Sequence, residues 1–123
     1  MADTHCSALR GATLCSNDSA DLSRRAVELY DEVLRRNNLA ESGVISLIFS
    51  VTDDLDAKNP AQCLREQHRA EGTALFVVRE ALFRGSPRGV LRLLAHCRLA
   101  EGQQPAHVYL NGAEVLRPDL NQC

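Results

Sequence analysis

The amino-acid sequence predicts an α+β fold, in which a mixed β-sheet carries two helices on one face. A run of β-forming residues over 43–51 is apolar enough for a buried central strand. A second segment, over 22–34, places its apolar residues three and four positions apart, which indicates an amphipathic helix. Strands and helices alternate along the chain. Because two helices cover one face only, we expect another subunit to bury the other face.

The first strand and the first helix are recognised by the signals at their ends. We predict a strand over Cys6–Leu9 that ends at Gly11. Ser16-Asn17-Asp18-Ser19 then supplies side chains that cap a helix start, and Asn37-Asn38 marks the helix end. The apolar stripe of this helix comprises Leu22, Ala26, Leu29, Tyr30, Val33 and Leu34.

A second helix is predicted after the central strand and a polar loop over 52–56. Pro60 suits its first turn, since the fixed backbone angle of proline matches a helix start. We expect this helix to continue to the neighbourhood of Ala70 and to stop at Gly72.

The C-terminal half contains two further strands and one segment that is open between helix and strand. A third strand over Ala74–Val78 delivers Glu80 at its exit, and a short strand at His107–Leu110 precedes the turn signal Asn111-Gly112. Between them, the segment after Pro87 has its apolar residues on a helical stripe, so periodicity alone favours a helix. The stripe comprises Val90, Leu91, Leu93, Leu94 and Cys97, opposite Arg88, Arg92 and His96.

Size, charge and cysteine usage restrict the class of protein. The 123 residues correspond to one domain, residues 1–123. The net charge is −2 without blocks of like charge, so nucleic acid and anionic membranes are not expected partners. The five cysteines show no metal-type spacing, and their odd number favours free thiols in a reducing compartment. No signal peptide or bilayer-spanning run is visible, so we expect a soluble cytoplasmic protein.

Arginines next to turn residues near both ends of the chain carry the first functional signal. Arg10 precedes Gly11, and Arg117 precedes Pro118, a few residues after Tyr109. A planar guanidinium binds a planar carboxylate through paired N–H donors. These segments therefore predict a site for a small acidic molecule.

Taken in order, the motifs resemble those of the AroH-type chorismate mutases, a family of small trimeric enzymes. The resemblance covers residues 9–120. It rests on Arg10-Gly11-Ala12-Thr13, Ser50-Val51-Thr52-Asp53-Asp54-Leu55, Pro60-Ala61, Arg65-Glu66, Glu80, Arg92, His107-Val108-Tyr109-Leu110 and Leu116-Arg117-Pro118-Asp119-Leu120.

The resemblance implies an architecture and an assembly. It implies a mixed sheet of about five strands with two helices on one face, and a homotrimer whose three sheets form a pseudo-α/β-barrel core. The active sites would lie between subunits. It also implies that Arg92 lies on a strand, which contradicts the periodicity, and we follow the resemblance because a short apolar run does not distinguish helix from strand.

The resemblance further implies the reaction. The family rearranges chorismate to prephenate, in the phenylalanine and tyrosine branch of aromatic amino-acid synthesis, with no cofactor, metal or proton transfer. Catalysis then rests on holding the reactive conformer and on stabilising the negative charge that grows on the ether oxygen. By resemblance, Arg92 stabilises that oxygen, and Glu80 accepts a hydrogen bond from the ring hydroxyl.

The remaining residues implied by the resemblance bind the substrate. Arg10 and Tyr109 would hold the enolpyruvyl carboxylate, and Arg65 and Arg117 would face the ring carboxylate and the mouth of the cleft. Leu116 would supply apolar wall. Ala61 and Val77 complete the predicted substrate-binding set, whereas His107 and Asp119 are interpreted as structural.

Four positions depart from the family pattern. Asn59 replaces a phenylalanine, Gln62 replaces a lysine, and Phe76 and Val77 replace a small polar residue and a cysteine. Since Arg92 and Glu80 are retained, we expect the reaction to survive. The departures leave two alternatives open: a paralogue that acts on a relative of chorismate in a specialised pathway, and a non-catalytic trimer that binds dicarboxylates.

Overall fold

The computed structural model of the chain describes residues 3–116, which form one mixed sheet and two α-helices. This confirms the predicted fold class. The strands are β1 (Thr4–Leu14), β2 (Val44–Val51), β3 (Ala74–Arg79), β4 (Val90–Ala100) and β5 (Val108–Leu110). The helices are α1 (Ser19–Arg36) and α2 (Pro60–Glu66), and short 3-10 turns span Glu41–Gly43 and Ala113–Leu116.

The sheet is built around β4, and its strand order is β3-β2-β4-β1-β5. β4 pairs antiparallel with both β1 and β2. The outer pairs, β2 with β3 and β1 with β5, are parallel. The edge strand β5 is short, and it pairs with only three residues of β1, Gly11–Thr13.

Helix α1 begins and ends where its capping residues predict. The Asp18 side chain accepts a hydrogen bond from the backbone N–H of Asp21 at 3.0 Å, and Asn37 is the C-cap. Asp21 in turn accepts from the N–H and the hydroxyl of Ser16. These bonds, led by the one from the Ser16 backbone and helped by Arg24, hold the pKa of Asp21 well below its usual range.

β1 extends through Gly11 to Leu14, so the prediction that the first strand ends at Gly11 is wrong. Gly11 lies where α1 crosses the sheet. A Cβ at this position would lie 3.0 Å from Leu29 Cδ1 and 3.3 Å from Val33 Cγ2. The glycine therefore permits close approach of the helix rather than a turn.

Helix α2 starts as predicted but ends early. Pro60 lies in its first turn, and the Asn59 side chain accepts from the N–H of Ala61 at 2.8 Å. The helix ends at Glu66, not near Ala70, because the backbone turns into the left-handed region at His68, with φ 59°, and at Ala70, with φ 57°. Gly72 plays no part in stopping it.

The segment after Pro87 is strand β4, so periodicity alone gave the wrong element and the resemblance gave the right one. β4 has a paired neighbour on each side. Leu91 and Leu93 pack under the helices, whereas Leu94 lies on the other face. Apolar residues on both faces of a central strand produce a near-continuous apolar run that hides the two-residue alternation.

Both helices cover the same face of the sheet. Buried residues of α1 and α2 join one core with alternate residues of the inner strands. That core includes Leu9, Leu47, Phe49, Leu91, Leu93, Ala95, Cys97 and Leu99 from the strands. Within residues 3–116, neither helix is long and apolar enough to cross a membrane.

Candidate active site

The face of the sheet that points away from the helices, here called the open face, carries the candidate site. Strand alternation places Arg10 and Ala12 of β1 on this face, because Leu9 and Gly11 point to the helices. The pairing registers then define one row across all five strands. The row consists of Tyr109, Ala12, Arg92, Ser50 and Val78.

Glu80 fixes the guanidinium of Arg92 within this row. Arg92 Nε donates to Glu80 Oε1 at 2.7 Å, and Ser50 Oγ donates to the same oxygen at 2.9 Å. The Arg92 side chain is 34% exposed and that of Glu80 is 16% exposed. In the part of the chain that the structure describes, the Nη groups of Arg92 make no hydrogen bond. One edge of the guanidinium is therefore held, and its Nη donors remain for a ligand.

The backbone keeps Glu80 in reach of Arg92. The N–H of Glu80 donates to the carbonyl of Val51 at 2.8 Å, immediately beyond the end of β3. This bond extends the parallel pairing of β2 and β3 by one residue. Glu80 is thus positioned by the sheet rather than by a free loop.

Arg10 and Tyr109 lie on the same open face as Arg92. Arg10 and Arg92 are diagonal neighbours on β1 and β4, because Arg92 pairs with Ala12. Diagonal neighbours on one face are about 7–8 Å apart. Its side chain is exposed and has no ion-pair partner within residues 3–116. Tyr109 lies two strands from Arg92, about 10 Å across the sheet. Arg10 and Arg92 thus place two guanidinium groups on one surface, an arrangement suited to a small dianion.

An apolar cluster supports Tyr109. Tyr109, Ala12 and Ala113 are buried together, and Leu14 and Leu116 pack against them. The predicted wall residue Leu116 therefore does lie beside Tyr109. His107 contacts the backbone, since its Nδ1 accepts from the N–H of Arg10 at 3.1 Å.

Three predicted residues do not join Arg92 within one chain. Ala61 is buried at the start of α2 and Arg65 is exposed on the same helix, in the layer on the other side of the sheet. The Val77 side chain packs against the helix-side core, so only its backbone can serve a site on the open face. Arg117 and Asp119 lie outside the described residues.

Two residues of the site were missed as functional candidates. Ser50 was recognised only as part of a motif, yet its hydroxyl shares Glu80 with Arg92. Val78, not Val77, occupies the open face beside Ser50. Strand parity is the signal for both: once Arg92 is assigned to an inner strand, its register neighbours follow by alternation.

Of the departures from the family pattern, Asn59 and Gln62 have local hydrogen-bond partners and Phe76 is exposed. Asn59 caps α2, and Gln62 Nε2 donates to Glu66 Oε2 at 3.1 Å. Phe76 is 72% exposed on the open face of β3. It belongs to a second row with Ile48, Leu94 and Arg10.

Comparison with known proteins identifies the family. The family model described as chorismate mutase type I matches residues 6–120. The chain belongs to the chorismate mutase type I family. Two curated relatives, both named chorismate mutase AroH, come from Bacillus subtilis and Thermus thermophilus. The first is 28% identical over 92% of this chain and 91% of its own, and the second is 34% identical over 94% and 96%.

A solved structure agrees with the family assignment. A chorismate mutase from Clostridium thermocellum superposes with a TM-score of 0.79 at 35% identity. The match covers 89% of this chain and 98% of that protein. The type I chorismate mutase fold therefore spans nearly the whole chain, including the strands that carry Arg92 and Tyr109.

Proposed function

We propose that this family member converts chorismate into prephenate by a cofactor-free 3,3-sigmatropic (Claisen) rearrangement. The observation that carries the proposal is the Arg92 guanidinium of the open face, held at Nε by Glu80 while its Nη donors have no hydrogen-bond partner within residues 3–116. The reaction breaks the ether C–O bond and forms one C–C bond within the same molecule. No group is transferred, so the site needs a fixed shape and fixed charges rather than a nucleophile.

Arg92 acts where the charge of the reaction changes. As the C–O bond breaks, negative charge grows on the ether oxygen, and a guanidinium already oriented by Glu80 stabilises it without reorganising. Because the ether oxygen carries little charge in the substrate, Arg92 binds the transition state more tightly. One such donor contributes about 10²–10³ in rate, and a full positive charge contributes more.

The second carboxylate oxygen of Glu80 provides a hydrogen-bond acceptor for the substrate. Its Oε1 accepts from both Arg92 and Ser50, whereas Oε2 has no hydrogen bond within residues 3–116. Oε2 therefore accepts from the ring hydroxyl of chorismate. The carboxylate also balances the partial positive charge that the ring fragment acquires.

The two carboxylates of chorismate are bound apart from the reacting bond. Arg10 and Tyr109 hold the enolpyruvyl carboxylate, since both lie on the open face within one strand of each other. Leu116 forms the apolar wall next to Tyr109. Arg65 and Arg117 face the ring carboxylate and the mouth of the cleft, and Ala61 and the Val77 backbone complete the lining.

In a homotrimer, a neighbouring subunit supplies the cleft with the predicted residues that lie in the helix layer. Arg65 and Ala61 lie across the sheet from Arg92 in their own chain, so a neighbouring copy delivers them to the cleft. The open face also exposes Phe76, at 72%, and Val78, at 44%. Exposed apolar side chains on a sheet face are typical of a subunit interface. Three such faces together enclose a barrel-like core with clefts between subunits.

We place this single-domain enzyme in the cytoplasm, in the phenylalanine and tyrosine branch of aromatic amino-acid synthesis. Cys6, Cys15, Cys63 and Cys97 are all free thiols. Free thiols persist in a reducing compartment.

The direct test is incubation of the purified protein with chorismate. Loss of the diene absorbance together with formation of prephenate is the expected result. A folded trimer that gives no acceleration over the spontaneous rate overturns the proposal, and prephenate binding without turnover identifies a binding protein instead.

Phe76 supports one alternative substrate. It stands exposed on the open face where the family pattern has a small polar residue, in the row that contains Arg10. A ring at that position alters the apolar part of the cleft. Comparing kcat/KM for chorismate, isochorismate and an amino-substituted relative discriminates, and a clear preference for either relative favours the specialised paralogue.

A further inference from the structure

Strand β5 is a short edge strand that carries a proposed substrate-binding residue. It has three residues, it carries Tyr109, and within residues 3–116 it pairs on one side only. A short edge strand contributes little to its own register. The position of Tyr109 along the open face therefore depends on the contacts that hold the two ends of β5, in addition to the apolar packing of Tyr109 itself.

The N-terminal end of β5 is held by hydrogen bonds between Asn37 and Ala106. This pair is here called the upstream anchor. The Asn37 side chain exchanges two hydrogen bonds with the Ala106 backbone, Nδ2 to the carbonyl at 2.9 Å and the N–H to Oδ1 at 2.7 Å. This imitates the pairing of a neighbouring strand. Asn37 is 1% exposed, and Nδ2 also donates to the carbonyl of Val33 at 2.8 Å. Gln103 Nε2 donates to the Asn37 carbonyl at 2.7 Å.

The second end is held by Asn111 and Glu28, here called the downstream anchor. Asn111 Nδ2 donates to Glu28 Oε1 at 2.8 Å and to Thr13 Oγ1 at 2.9 Å. Asn111 has a φ of 55°, a left-handed conformation that asparagine and glycine adopt readily. Both anchors therefore tie β5 to α1, one at the C-cap residue Asn37 and the other at Glu28.

The spacing of the anchors on α1 matches their spacing on β5. Glu28 and Asn37 are separated by a helical rise of about 13–14 Å. Ala106 and Asn111 are separated by about 16–17 Å of extended chain. The two lengths differ by only about 3 Å, which the side chains of Glu28, Asn37 and Asn111 span. The length of the helix between the two anchors thus fixes the position of β5 along α1.

We propose that α1 positions Tyr109 for substrate binding through these two anchors, with Asn37 and Glu28 as positioning residues. The inference rests on the proposed function, in which Tyr109 binds a substrate carboxylate. Neither anchor lies on the open face, so neither contacts a substrate bound at Arg92 and Tyr109 of its own chain. Their effect reaches the site through the register of β5 against Gly11–Thr13 of β1.

Loosening an anchor shifts the Tyr109 hydroxyl relative to Arg10. A hydrogen bond to a carboxylate weakens steeply with distance and angle. Because Tyr109 binds the same carboxylate in substrate and transition state, the loss appears in KM and not in kcat. A purely structural role would instead lower the unfolding temperature and leave the KM of the folded enzyme unchanged.

The primary variant is Asn111→Gly, which keeps the left-handed turn and removes the downstream anchor. We expect KM for chorismate to rise about five- to tenfold while kcat changes by less than about twofold. Glu28→Ala should reproduce the rise, and Glu28→Gln, which retains an acceptor oxygen, should restore KM to near the parent value. Glu32→Gln is the matched control, since Glu32 lies one turn along α1 and its ion-pair partners among the described residues are Arg35 and Arg36.

A double-mutant cycle isolates the hydroxyl. In a Tyr109→Phe background, Asn111→Gly should change KM by less than about twofold, because the group being positioned is gone. An equal rise in KM with and without the hydroxyl overturns the proposal. A drop in unfolding temperature without any KM change overturns it as well.

Amide hydrogen exchange tests the anchors without any turnover. The amides of Val108–Leu110 should exchange at least tenfold faster in Asn111→Gly and in Asn37→Asp than in the parent protein. Unchanged exchange in Asn111→Gly overturns the anchoring, whether or not the buried Asn37 variant folds. Faster exchange in a protein that lacks mutase activity upholds the anchoring and overturns the proposed function, so the two failures are distinguishable.

Discussion

The two faces of the sheet divide stability from chemistry. On the helix side, Leu9, Phe49 and Leu93 are at most 3% exposed and belong to one apolar core. On the open face, the same strands carry Arg10, Arg92 and Ser50. Since neighbouring residues of a strand point to opposite faces, adjacent residues have opposite roles. Away from the two anchors of β5, a substitution on one face should therefore leave the property carried by the other face intact.

The largest expected effect is on the open face. Arg92→Ala removes the guanidinium that is proposed to stabilise the ether oxygen, so kcat should fall by about 10³-fold or more. The variant should remain folded and assembled, because the Arg92–Glu80 pair is partly exposed and contributes little to stability. Turnover of chorismate and light scattering, measured on the same preparation, check both statements. Retention of most activity would show that the role of Arg92 is misassigned.

The helix side of this comparison was predictable from sequence, and the open face was less so. The stripe of α1 and the Asp18 cap follow from helical periodicity and capping chemistry. β4 was misread by periodicity because Leu93 and Leu94 are adjacent and both apolar. Leu94 lies on the face that the helices leave uncovered, and a sequence pattern does not separate two faces that both carry apolar residues.

The site was predictable in its residues but not in its geometry. The family resemblance gave Arg92 and Glu80 their proposed roles, yet the shared acceptor that joins Ser50 to them depends on strand register. Gly11 shows the same limit. Its neighbours in sequence indicate a turn, whereas its neighbours in space are two side chains of α1.

A smaller effect is expected at Gly11 on the helix side. Gly11→Ala places a methyl group 3.0 Å from Leu29 Cδ1, within a packed core, and should lower the free energy of unfolding by about 1–3 kcal/mol. Since Arg92 lies on the other face and another strand, kcat should stay within about threefold. Chemical denaturation and steady-state kinetics measure the two quantities.

Gly72→Ala is the matched control for this prediction. Beyond its chain neighbours, a Cβ at Gly72 meets no atom of the described residues within 4 Å, so the substitution should be neutral or slightly stabilising, by about 0.4–1 kcal/mol. Equal destabilisation by both alanines would show that backbone flexibility, and not the approach of α1, explains the glycine at position 11.

The smallest effect concerns the acid sensitivity of the helix side. Glu41 accepts a hydrogen bond from the Tyr30 hydroxyl at 2.5 Å and from the Ala70 N–H at 2.7 Å. These bonds, the first above all, hold the pKa of Glu41 below its usual value. A carboxyl with a lowered pKa in the folded state contributes stability above its unfolded pKa of about 4.3, and loses it as the pH falls through the folded value.

Glu41→Gln tests this contribution and the division between the faces together. At pH 7 the variant should be less stable than the parent by about 1 kcal/mol, because the amide accepts weaker hydrogen bonds than the carboxylate. The gap should narrow as the pH falls below about 4.3, since protonation removes the same charge from the parent. Denaturation curves between pH 7 and pH 3 measure the gap. A stability difference that stays constant across this range would mean that the hydrogen bonds from Tyr30 and Ala70 do not depend on the charge of Glu41. A change in kcat at pH 7 would mean that the helix side and the open face are coupled.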